Sequence, residues 1–210
     1  MSPFAGPRLV PPPAPAAEVN DATLVARLVA DEPGAAAAAW RRFLPGARAT
    51  VRRLLGPRPE AEDLVQEVFL RFFSMTSRLR DPALVRSFLF GICVRVVREE
   101  IRRRRLRRWL LLESPETLAA PPAVEGDHVA REALRRFYRV LDGLSGESRS
   151  LFVVRHIEGK ELTEVASIHG MSISSVQRKL ARAEKCVASS VQNDPLLADY
   201  LAETQVKGRS

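Results

Sequence analysis

Cysteine is scarce in this chain: Cys93 and Cys186 are the only two in 210 residues. A disulfide framework or a zinc-ribbon spacing is therefore excluded. The three histidines, His128, His156 and His169, are far apart and share no ligand spacing, so no metal site is expected. Aromatic residues make up only 6%, with alanine, leucine and arginine dominating, which favours helices over sheets. No phosphate loop, metal cluster or nucleophile motif appears, so an enzyme is the weakest reading, with no catalytic residue and no cofactor expected. No apolar run reaches membrane-spanning length without charge, and prolines interrupt the N-terminus where a signal peptide needs continuity. A soluble, cytoplasmic protein without membrane insertion is the expectation.

Lysine is also rare. Arginine supplies 29 of the 33 basic residues, and the net charge is +8. Arginine suits forked phosphate contacts, so the balance points toward a polyanionic partner. Composition by itself does not separate this from a genome biased toward arginine and alanine.

Punctuation divides the chain. Residues 1–17, MSPFAGPRLVPPPAPAA, read as a flexible leader. A first unit spans 18–111. Asn20 or Asp21 caps a helix through LVARLVA, and a second helix covers Ala35 to Leu55, divided or kinked at Pro45-Gly46. A third runs from Glu60 to Met75. A fourth starts at Asp81-Pro82 and continues toward Trp109, with a break possible to place at Gly91. Residues 112–128, LESPETLAAPPAVEGDH, carry three prolines and four acidic residues and no hydrophobic period, so they read as a linker. Seventeen extended residues reach up to about 55 Å. A second unit spans 129–190, and 191–210 form a C-terminal tail with room for a short helix. The fold class is all-α: two small helical domains joined by a flexible linker.

Three stretches carry functional pattern. In AEDLVQEVFLRFF, Ala61 to Phe73, Leu64 and Val68 mark a core stripe while Asp63, Gln66, Glu67 and Arg71 mark a polar face. That suits a bundle helix, or a helix that packs inward on one side and docks on the other. From Arg95 to Trp109 there are eight arginines and two glutamates, a net of +6. So many like charges repel unless an anion neutralises them, which favours a phosphate-tracking surface over a merely solvated end.

The third pattern is a helix-turn-helix in the second unit. Leu162, Val165 and Ala166 form one apolar face, Gly170 sits at the turn, and Ile173, Val176 and Leu180 form the inward face of the next helix. Ser172 is its expected N-cap. The outward face carries Ser174, Ser175, Gln177, Arg178 and Arg182, with Lys179 and Lys185 nearby. Serine, glutamine and arginine can contact base edges or phosphates. His169, just before the turn, reads as a partly exposed helix-end residue.

Together the two units resemble bacterial sigma factors of the extracytoplasmic-function type, in the sigma-70 family. AEDLVQEVFLRFF looks like that family's second region, and LDGLSGESRSLFVVRHIEGKELTEVASIHGMSISSVQRKLARA looks like its fourth. The motifs stand in the expected order and the resemblance covers most of residues 20–187. It implies a dissociable RNA polymerase subunit that directs promoter recognition and transcription initiation. Asp63, Gln66, Glu67 and Phe69 would bind the clamp helices of core polymerase, although core packing is an equally good reading of Phe69 and Phe72. Arg95, Arg98, Arg102, Arg103, Arg104 and Arg105 would contact DNA at the −10 element. Ser172, Ser174, Ser175, Gln177, Arg178, Lys179 and Arg182 would face the −35 element. The resemblance also implies an anti-sigma partner.

The chain departs from the family pattern in places. Phe88 stands where relatives often have tryptophan, Arg95 where they have asparagine, Glu99 where they have aspartate, and Gln177 where they have lysine. Two other readings stay open on the sequence: a helix-turn-helix regulator acting without polymerase, and a degenerate sigma-like interaction module.

Overall fold

The computed structural model describes residues 20–111 and 128–207; the leader 1–17 and the linker through residue 127 lie outside them. The described residues are helical. The first unit contains α1 (Asp21–Val29), α2 (Ala35–Leu55), α3 (Ala61–Met75) and α4 (Val85–Leu111). The second contains α5 (His128–Asp142), α6 (Gly146–Phe152), α7 (Leu162–His169), α8 (Ile173–Gln192) and α9 (Pro195–Lys207).

Short polar caps set the helix starts. The Asn20 side chain accepts from Ala22 N at 3.1 Å, and Asp81 accepts from Ala83 N at 2.9 Å in the 3-10 turn Pro82–Leu84 that leads into α4. Ser145 and Ser172 do the same for α6 and α8, and Glu161 with Glu164 forms a capping box for α7. Neither expected breaker ends its helix. α2 passes through Pro45 and α4 through Gly91 without ending. In each case buried residues continue on both sides of the breaker: Ala39, Phe43, Ala47 and Val51 in α2, and Leu89, Ile92, Cys93 and Val96 in α4. Tertiary burial outweighs a local helix penalty of about 1–3 kcal/mol.

The first unit packs α2, α3 and α4 side by side, with α1 across α2. Its centre is aromatic: Phe69 lies 4.3 Å from Trp40 between ring centroids, and Phe72 meets Phe43, Phe73 and Phe88. In the second unit α8 runs against α5, α6 and α7, and α9 returns over α5 and α8. Leu197 is buried there, and Arg136 of α5 binds Asp194 at 3.0 Å.

The loose tether expected between the units is accompanied by direct packing. α6 lies on α4, and the π-helical turn Val153–Ile157 that follows α6 lies on α2. Arg149 of α6 is 1% exposed and donates to two carbonyls at the end of α2, Leu54 O at 2.9 Å and Leu55 O at 2.5 Å. Its third partner is Asp142 of its own unit, which also holds Arg58 of the first unit at 2.7 Å. Tyr138 Oη donates to Arg53 O at 3.0 Å, and Arg53 pairs with Glu158 at 2.6 Å.

Candidate protein and nucleic-acid interfaces

α3 divides cleanly into two faces. Ala61, Leu64, Val65, Val68, Phe69 and Phe72 are buried, while Asp63, Gln66 and Leu70 stand in solvent. The spacing of three and four residues puts those three on one stripe. Phe69 is 1% exposed and packed among Trp40, Phe72 and Phe73, so it is a core residue and not part of a docking surface. Leu70, 71% exposed, takes the outward place that sequence reasoning missed. The signal was available: Leu70 lies four residues after Gln66 on the polar face. Glu67 is half-buried and bonded to Arg71 at 2.6 Å. It is oriented by that arginine rather than free. Beside Asp63, a groove of about 510 Å³ runs between the start of α3 and the later part of α4, lined by Glu60, Leu64, Glu100, Arg103 and Leu106 among others.

On α4, Arg95, Arg98, Arg102 and Arg105 recur at spacings of three, four and three, which makes one helical stripe. Arg95, Arg102 and Arg105 are exposed and Arg98 is half-buried. Arg103 is exposed on a neighbouring strip, loosely near Glu100 at 3.8 Å. Arg104 is different. It is 6% exposed and held by Glu100 at 2.8 Å and Glu60 at 3.4 Å. It ties α4 to the residue before α3, so it cannot serve as a backbone-contacting arginine. Burying an arginine requires such partners, and they occupy the donors that DNA would need.

The helix-turn-helix is formed as expected in outline. α7 ends at Gly170, whose φ of 62° closes the turn, and Ser172 starts α8 by accepting from Ser175 N at 3.3 Å. Val165, Ala166, Val176, Leu180, Ala183 and Val187 are buried between the helices. Ile173 is not: it is 43% exposed, because the inward face of α8 begins one turn later, at Val176. Ser174, Gln177, Arg178 and Arg182 are exposed, and Ser175 is half-buried. The Ser172 hydroxyl is engaged with Ser174 and Ser175, and Lys179 binds Glu147 of α6. Both are therefore partly committed to the fold.

His169 departs from its reading as a partly exposed helix end. It is 9% exposed, donates from Nδ1 to Val165 O at 2.9 Å, and takes the Ser150 hydroxyl of α6 at Nε2. Burial holds its pKa below the usual value, so it sits neutral as a link between α7 and α6. Arg149, the largest fully buried side chain among the described residues, was not singled out from sequence; a lone arginine inside the run SRSLFVV was the only sign.

Among the described residues no group of histidine, cysteine and carboxylate side chains could hold a metal, and no helix is long and apolar enough to cross a membrane. Among the described residues, solvent-facing polar side chains stand on α3, α4 and α8.

Two family models match the chain. Sigma-70 region 2 matches residues 39–107, and Sigma-70, region 4 matches residues 134–187. The ferric citrate uptake sigma factor FecI of Escherichia coli K12 is 35% identical over 134 residues, covering 61% of this chain and 75% of that protein. Two solved structures share the fold. The sigma factor RpoE of Bartonella quintana, in complex with the anti-sigma factor NepR, gives a TM-score of 0.57 at 22% identity, covering 74% of this chain and 95% of that one. CnrH, in complex with the cytosolic domain of CnrY, gives 0.56 at 21% identity, covering 83% and 98%.

Proposed function

The chain belongs to the extracytoplasmic-function sigma factors of the sigma-70 family, dissociable subunits that direct RNA polymerase to promoters, and from that premise we propose how its surfaces divide the work. The exposed stripe of α3, Asp63, Gln66 and Leu70, docks on core polymerase, with Glu67 shaping its edge. A mixed polar stripe around one leucine suits a subunit that must later leave, because it gives specificity without an obligate apolar interface. The α4 stripe of Arg95, Arg98, Arg102 and Arg105, with Arg103 beside it, tracks the DNA backbone at the −10 element. The outward face of α8, from Ser174 to Arg182, reads the −35 element, with Arg178, Arg182 and Gln177 as its long exposed side chains toward base edges and phosphates. Action is in the cytoplasm, where core polymerase is found. An anti-sigma factor is a further partner, as NepR is for the B. quintana protein.

One observation carries this reading. α3 keeps a solvent-facing stripe of Asp63, Gln66 and Leu70 opposite the side that is buried in the aromatic core. One exposed leucine is ordinary on any protein surface, so what supports docking is its place on one stripe with Asp63 and Gln66, inside the stretch that Sigma-70 region 2 matches. The test is in vitro transcription with core polymerase across a promoter library. Transcripts that depend on this chain and share two spaced elements support the reading. Absence of any transcript, with no stable association to core polymerase, removes it.

A further inference from the structure

The seam between the two units is tight in one place and open in another. On α4, α6 comes so close that a Cβ on Gly146 would stand 3.1 Å from Arg98 O. About two turns earlier on the same helix, the walls part around a cleft of about 370 Å³. Arg86 and Phe90 of α4 form one wall, and Ser167 and Ile168 of α7 form the other; Lys160 and Glu164 join them. Packed interiors leave few voids larger than a water, whereas small-molecule sites span about 300–1,000 Å³. The cleft belongs to the second class, at its small end. Phe90 and Ile168, one from each unit, are its half-buried apolar surfaces.

Lys160 is placed there by a built loop. Gly159, at φ 67°, turns the chain ahead of α7. Lys160 N then donates to Val154 O at 3.1 Å, and Lys160 O accepts from Arg155 Nη1 at 2.8 Å. With its backbone held on both sides, Lys160 carries its ammonium across the seam, 5.9 Å from the centre of the Phe90 ring. On the facing wall, Arg86 gives Nε and Nη2 to Asp21, at 2.5 and 3.4 Å. The carboxylate in the lining, Glu164, is already committed. Its Oε1 takes Lys160 Nζ at 3.0 Å, and its Oε2 takes Glu161 N at 3.1 Å in the cap of α7. An ammonium has three N–H groups and a guanidinium five, so both cations have donor capacity beyond these partners. The sign of the cleft is therefore set by Arg86 and Lys160.

We propose that this cleft is a binding site for a small amphipathic carboxylate. The apolar body of the ligand lies between Phe90 and Ile168, and its carboxylate meets Lys160 and Arg86. A bare anion would leave the two apolar walls unused, and a neutral body would leave the two cations unused. Phe90 and Lys160 come from different units, so the complete site exists only while the units are packed together. Occupancy is thereby linked to that packing: a partner that parts the units must expel the ligand, and ligand well above its Kd opposes that partner. Binding is a property of the chain alone and stands or falls separately from the promoter-binding reading.

The experiment uses three probes: hydrocinnamate, its uncharged amide hydrocinnamide, and inorganic phosphate. Each is titrated into the full chain by calorimetry, and backbone amide NMR shifts locate it. We expect saturable binding of hydrocinnamate with shifts at both Phe90 and Ser167. The amide and phosphate should each bind at least about tenfold more weakly, the scale of a charge-assisted hydrogen bond. Lys160→Ala should weaken hydrocinnamate by about the same factor. Ser167→Trp, which fills the cleft from an exposed position, should abolish binding. Glu164→Gln keeps an acceptor for the cap and removes the competing carboxylate. It should tighten binding about threefold, the scale of one exposed ion pair, and a gain cannot come from unfolding. Circular dichroism and melting without probe check the fold of every variant. Absence of saturable hydrocinnamate binding overturns the site, as do shifts confined to one unit or parental affinity in Ser167→Trp. Equal affinity for hydrocinnamate and its amide, or no gain in Glu164→Gln, overturns the assignment of an anion.

Discussion

Arg71 of α3 bonds Glu67 of its own helix at 2.6 Å and Glu99 of α4 at 2.7 Å through the same nitrogen, Nη2. The surface proposed for polymerase is thereby tied to the helix proposed for DNA. The Glu99 hydrogen bond is the main reason the Arg71 pKa is raised, and the Arg71 hydrogen bond is the main reason that of Glu99 is lowered. Arg103 and Arg98 lower it further. Glu99 is thus a negative charge placed beside the basic stripe, and Arg71 neutralises it from the opposite helix.

Removing Arg71 should turn that carboxylate against DNA. Arg71→Ala leaves Glu99 compensated only by the arginines meant for phosphate. We expect non-template −10 strand binding to weaken about threefold at about 0.1 M salt, the scale of one exposed ion pair. Arg71→Ala/Glu99→Gln should restore it. Fluorescence anisotropy of a labelled single strand, at matched salt, checks both. A double variant as weak as the single one would place the loss elsewhere.

The two faces of α3 predict opposite outcomes. Asp63→Ala/Gln66→Ala/Leu70→Ala should weaken core polymerase binding by at least about tenfold and leave the melting temperature unchanged. Phe69→Ala should cost about 3–5 kcal/mol of stability, because it empties a site among Trp40, Phe72 and Phe73. Affinity titration and thermal unfolding of the same samples separate the two effects. Unchanged polymerase affinity in the triple variant would remove α3 from the interface.

What could be read in the sequence follows from the range of the forces involved. Helical period assigns a residue to a face, and local caps depend on neighbours two or three residues away. Leu64, Val68, Asn20, Asp81 and Ser172 were therefore legible. Period does not reveal which face is covered by something distant. Arg104 looked like one more member of a basic run, yet Glu60, far behind it in sequence, sits against it. Phe69 and Leu70 are adjacent in sequence and opposite in burial, because the aromatic centre is assembled from α2, α3 and α4 together. His169 and Arg149 depend on partners 19 and 95 residues away. No local pattern encodes such pairs, and the packing of one unit on the other rests on the longest of them.

The recognition helix separates reading from building. Arg178 is exposed with no structural duty evident from its surroundings, whereas Ser172 caps α8. Arg178→Ala should weaken a −35 duplex by about 1–3 kcal/mol if it reaches a base edge, and by less with a shallower salt slope if it reaches phosphate. Ser172→Ala should cost about 1 kcal/mol of stability through the lost cap. Salt-series binding and chemical denaturation distinguish them. An Arg178→Ala protein with parental affinity at every salt concentration would take that residue out of the DNA interface.

Acid should loosen the second unit through His169. Its folded pKa lies below the ordinary 6.5, chiefly because burial disfavours the charged ring, with smaller opposing help from Val165 O. A lowered histidine pKa means the unfolded chain binds the proton more readily. The stability owed to neutral His169 is therefore fully present above 6.5 and is lost as pH falls below it toward the folded value. Protonation also takes away the lone pair at Nε2 that receives the Ser150 hydroxyl. Melting temperatures measured from about pH 8 to about pH 5.5 should fall in the parent protein, while His169→Gln, which keeps a polar side chain without titrating there, should show a flatter profile. His156, on the surface beside Glu184, is present in both proteins, so the difference between the profiles reports His169 alone. Parallel profiles would mean that His169 does not govern the acid response, and that Ser150 is held in place by packing rather than by the ring.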